Sequence, residues 1–101
     1  MSDFEEHVRA ALDSLPPELA RGLENLAVVV EEENLDEPEL YGLFDEPPYL
    51  PARIAIYRRP LLEDFGHDPA ALEREIRITV LHELAHYFGI DEARLDELGY
   101  A

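Results

Sequence analysis

The 101-residue chain has no cysteine, which removes disulfides, thiolate metal sites and cysteine nucleophiles together. Any metal it binds must be held by imidazole and carboxylate groups. Lysine is also missing, and the eight basic residues, all arginine, face 24 acidic ones, for a formal net charge of -16. Such a surplus repels phosphate backbones and anionic lipid, so nucleic acid and membrane surfaces are poor partners, while a cationic peptide would be attracted. No apolar run approaches the roughly 20 residues of a membrane span. The opening Met1-Ser2-Asp3-Phe4-Glu5-Glu6 lacks the basic and apolar regions of an export signal. A soluble cytoplasmic protein is the expectation, and the oligomeric state stays open.

The length suits one small domain, and a hydrophobic content of 47% is far above that of a disordered chain of this charge, so a folded core is expected. Ser2-Asp3-Phe4-Glu5 reads as a capping box, and Phe4, Val8, Ala11, Leu12 and Leu15 at helical spacing predict a helix over about 3–14. Pro16-Pro17 ends it. A short second helix follows to Asn25, weakened by Gly22. Leu26 to Glu33 predicts a strand with a buried first half and a charged, solvated end. Leu40 to Phe44 is a possible second strand among prolines, with Tyr41, Phe44 and Tyr49 as core filling more than cleft lining.

Ala52 to Arg58 alternates as a strand does, with Ile54 and Ile56 inward and Arg53 and Arg58 at its ends for salt bridging. A helical turn from Pro60 to Phe65 should close at Gly66. A long helix then starts at the Asp68 cap with Pro69 in its first turn, buries Leu72, Ile76, Val80, Leu81, Leu84, Ala85 and Phe88, and stops at Gly89. Asp91 to Tyr100 reads as a last short helix, with Leu95 and Leu98 inward. The class is α+β, with helices packed on a small two- to four-stranded sheet.

The chemistry concentrates in His82-Glu83-Leu84-Ala85-His86. Histidines four apart on a helix face the same way, and the residue after the first lies about 100° further round the same surface. Two neutral imidazoles can bind zinc from one side, and Glu83 is placed to take a proton from water that the metal acidifies. These residues sit among Val80, Leu81, Leu84, Ala85 and Phe88, where unpaired polar groups would be costly, which favours metal binding over two structural histidines. His7 and His67 have no such neighbours and read as surface residues. A catalytic site needs one more protein ligand. With no later histidine it should be Asp91, Glu92, Asp96 or Glu97; spacing after the Gly89 turn favours Glu92, and Asp91 is the main rival.

The run His82-Glu83-Leu84-Ala85-His86-Tyr87-Phe88-Gly89-Ile90-Asp91-Glu92 resembles the extended zincin motif, His-Glu-x-x-His-x-x-Gly-x-x-(His or Asp). With Arg53 to Pro60 upstream and Leu95 to Tyr100 at the end, the chain is similar to the minimal zincins, short bacterial metallopeptidase-like proteins, over roughly residues 40–100. The resemblance implies a single zincin-like domain over 1–101 with the motif helix central, Zn2+ on His82, His86 and position 92, and Glu83 as general base. Position 92 carries Glu where the family pattern has His or Asp. Metzincins add a Met-turn, and the only methionine here is Met1, which excludes that branch. The resemblance also implies hydrolysis of a peptide or unfolded protein lying against an edge strand, for which Ala52 to Arg58 is the candidate, with oxyanion help from Tyr57, Tyr87 or Tyr100. The competing expectation is a metal-binding regulatory module that keeps the motif without hydrolysis.

Overall fold

Phe4, Val8 and Ala11 recur at helical spacing, and all three are buried along one face of α1 (Asp3–Asp13). The computed structural model describes residues 3–48, 51–89 and 92–97, so the Ser2 end of the expected capping box lies outside the described residues. Pro17 occupies the first turn of α2 (Pro17–Ala20), which tightens into a 3-10 helix over Arg21–Asn25. The predicted second helix is therefore only half α-helical. Gly22 falls in the tightened half, and a Cβ there would lie 2.5 Å from the Phe88 ring.

The sheet has three strands in the order β1-β3-β2: β1 (Ala27–Glu31), β2 (Gly42–Asp45) and β3 (Arg53–Tyr57). β1 runs parallel to β3, with Val28 opposite Ile54 and Val30 opposite Ile56; β2 runs antiparallel, with Gly42 opposite Ile56 and Phe44 opposite Ile54. Val28, Val30, Ile54, Ile56 and Phe44 thus share the face that meets the helical core. The α+β expectation holds, but two strand readings change. β1 is an edge strand, so Val28, Val29 and Val30 are half-buried and Ala27 is exposed, where a buried first half was expected. β3 is covered on both faces: beside the fully buried Ile54 and Ile56, Ala55 and Tyr57 are each 3% exposed. Ala55 lies between Val29 and Leu43 in register, and the Tyr57 hydroxyl accepts from Asn34 Nδ2 at 3.1 Å.

The arginines at the strand ends form ion pairs, as expected. Arg53 meets Asp45, its cross-strand partner, at 3.3 Å, and Arg58 meets Glu32 at 3.3 Å. Arg59 meets Glu33 at 3.1 Å, so the acidic end of the Leu26–Glu33 segment is neutralised locally as well as solvated. Arg58 and Arg59 already belong to α3 (Arg58–Phe65), which starts before Pro60; the proline is still within the first turn, where its missing N–H costs nothing.

Asp68 caps α4 (Pro69–Phe88) by accepting from the N–H groups of Ala70 (3.1 Å) and Ala71 (3.4 Å). Gly89 ends it with φ of 69°, a left-handed conformation that other residues adopt only at a cost. α4 packs on α1, α3, β2 and β3, and its Ile76, Val80 and Leu84 are fully buried. Phe88 departs from the buried face expected of it: it is 43% exposed, with its ring over Gly22 and edge-on to Tyr87. α5 (Glu92–Glu97) falls within the last helix expected over Asp91 to Tyr100. Asp91, Leu98 and Tyr100 lie outside the described residues, as does the side chain of Leu95.

Candidate metal centre

His82, Glu83 and His86 lie in the last two turns of α4, behind the Asp68 cap and before the Gly89 turn. At about 100° per residue the two histidines are separated by roughly 40° around the helix, so they share a face. His86 is the more open, with its side chain 66% exposed. His82 is half-buried, and its ring makes no hydrogen bond among the described residues. His86 lies in the last turn of the helix, whose partial negative charge favours a bound cation.

Glu83 differs from both. It turns toward β2, and its side chain is only 12% exposed. Its Oε2 is buried and accepts no hydrogen bond; His86 Nδ1 lies 3.4 Å away, within ion-pair range but without hydrogen-bond geometry. Natural folds rarely leave a buried carboxylate oxygen unpaired, because its desolvation is not returned. Two imidazoles free of hydrogen bonds, beside such a carboxylate, fit a divalent metal of the borderline zinc type and its water.

Among the described residues, no group of three or more metal-donor side chains is assembled. Glu92 is the first residue of α5, just past the Gly89 turn, and its side chain is outside the description, as is the whole of Asp91. Glu97 is committed to Arg94 at 2.9 Å. His67 is exposed and His7 half-buried, and neither joins the site.

Two expectations about the surroundings change. Ala52 to Arg58 cannot accept a peptide strand, because β3 is the central strand with both edges paired. Among the described residues the unpaired sheet edge beside α4 belongs to β2, whose Gly42 backbone lies against Thr79 and Glu83. Tyr57 is removed as an oxyanion donor, since it stands on the sheet face opposite Ile54 and Ile56 and is engaged by Asn34. Tyr87 packs edge-on against Phe44 at 5.8 Å between ring centroids, and Tyr100 is outside the described residues. Neither Gly42 nor Thr79 is among the site residues expected from the sequence. A glycine inside a strand pattern signals a close approach of another element, and Thr79 lies one turn before Glu83, so the signal was present.

The zincin-like metallopeptidase family profile matches residues 23–100. No curated protein matches the chain. No helix among the described residues is long and apolar enough to cross a membrane. The profile spans β1 through α5, including the whole of α4, and the chain belongs to the zincin-like metallopeptidase family.

Proposed function

We propose that the protein is a zinc-dependent peptidase in which His82, His86 and Glu92 hold the metal and Glu83 is the general base. The observation that carries this reading is the buried, unbonded Oε2 of Glu83 beside His86, because a purely structural metal site has no use for such a group. The metal, when bound, supplies Lewis acidity that lowers the pKa of water and polarises a carbonyl. Glu83 would take the proton of the attacking water and return it to the leaving amine.

The free edge of β2 would hold an extended peptide by backbone hydrogen bonds, in place of the strand expected from sequence. So small a fold offers few walls for a deep specificity pocket, which suits small or unfolded peptides. The test compares zinc-loaded wild type with Glu83→Gln on a mixed peptide library read by mass spectrometry. Wild type should cleave, and the variant should lose at least about 100-fold while keeping its zinc. If both are equally inactive while zinc still raises the melting temperature, the chain is a metal-stabilised module and the peptidase reading is wrong.

A further inference from the structure

The side chain that Gly42 lacks would occupy space that α4 already fills. A Cβ at this position would lie 2.5 Å from Thr79 Cγ2, 3.0 Å from the Ala55 carbonyl oxygen of β3 and 3.8 Å from Glu83 Cγ. The contact is fixed from both sides. Gly42 is held opposite Ile56 in the β2–β3 register, and the Thr79 hydroxyl donates back to the Glu75 carbonyl at 2.8 Å, which sets the rotamer presenting Cγ2 to the strand. Among the described residues Thr79 is the one buried polar residue of the core, 9% exposed, and it lies a single turn before Glu83 on the same side of the helix.

We infer that the contact between Gly42 and Thr79 sets the distance from the free edge of β2 to Glu83 and the His82/His86 face, making Gly42 a positioning residue for a bound peptide backbone. The inference rests on the proposed peptidase reading. Apolar atoms rest about 3.5–4.0 Å apart, so an alanine at 42 must move β2 or the helix by about 1 Å. A misplacement of that size at a reacting centre can cost about 100-fold. The bare glycine thus brings the strand that would carry the substrate one methyl closer to the base than any other residue would allow.

The test uses zinc-loaded protein and two non-cleavable probes, an uncharged peptide hydroxamate and acetohydroxamate, which shares the chelating group but has no peptide backbone. Calorimetry should show Gly42→Ala losing about tenfold or more in affinity for the peptide hydroxamate, with zinc content and acetohydroxamate affinity within twofold of wild type. Adding Thr79→Ser, which deletes Cγ2, should restore most of the loss. If Gly42→Ala does not fold by circular dichroism, Thr79→Ile, which extends the side chain beneath Gly42 from the helix side, replaces it and should show the same selective loss.

Unchanged peptide-hydroxamate affinity in the variant, or a loss that Thr79→Ser does not relieve, overturns the positioning role and leaves the peptidase reading intact if wild type cleaves peptides. A wild type that binds the peptide hydroxamate no tighter than acetohydroxamate also overturns it. A wild type that binds the peptide hydroxamate, loses that affinity in Gly42→Ala and yet cleaves nothing supports the positioning role and removes the hydrolytic reading.

Discussion

Glu83 holds Oε2 3.4 Å from Nδ1 of His86, and this buried oxygen has no hydrogen-bond donor. A site built for stability alone would not retain it, since an unpaired buried polar group costs about 1–3 kcal/mol. The metal-free Glu83→Leu protein should therefore unfold at higher urea than metal-free wild type, by about 1–3 kcal/mol with an unchanged m-value. A lower midpoint would mean that the carboxylate is satisfied and that Glu83 is a structural residue.

Arg59 fastens the segment leading to β2. Its guanidinium reaches Glu63 at 2.8 Å, Glu33 at 3.1 Å and the Pro38 carbonyl at 2.7 Å, while its backbone N–H donates to the Glu32 carbonyl at 2.9 Å. The hydrogen bonds to Glu63 and then Glu33 push its pKa up. A lysine cannot fork to two carboxylates and a backbone carbonyl at once, so Arg59→Lys should lower the melting temperature and speed amide exchange over residues 33–41, with the gap from wild type narrowing at high salt. Equal exchange rates would show that this segment is held by other contacts.

Tyr41 donates its hydroxyl proton to Asp64, and that hydrogen bond, with burial and the Asp64 charge adding to it, pushes the phenol up to about 12 from the ordinary 10. The folded state then holds the proton more tightly than the unfolded chain. The stabilisation is complete below about pH 10 and is lost as pH rises toward 12. The difference in absorbance titration between wild type and Tyr41→Phe should show a phenol that titrates late, and the stability advantage of wild type should shrink through that window. A Tyr41 that titrates with the free phenols would contradict the hydrogen bond.

What the sequence discloses and what it hides follow from the range of the forces involved. Asp68, Pro69 and Gly89 act within one helical turn, so the limits of α4 could be read directly and hold in the structure. The His82-Glu83-His86 spacing is equally local. The position of β3 is not, because alternation in Arg53 to Tyr57 is the same for an edge strand as for a central one. Ala55 and Tyr57 are buried by Val29, Leu43 and Asn34, residues at least 12 positions away, and no periodicity encodes that cover. The partial exposure of Phe88 has the same origin, since Gly22, which receives its ring, lies far upstream. Edge pairing therefore passed from β3 to β2, and although a glycine within the strand signals a close approach, that Thr79 makes it shows only with strand and helix together.

The most direct test of the metal centre is zinc stoichiometry by elemental analysis after reconstitution and desalting. Wild type should hold one zinc per chain, and His82→Ala should hold none while keeping its helical circular dichroism. Wild type without stoichiometric zinc, or His82→Ala with as much as wild type, would contradict a metal centre on the His82/His86 face of α4.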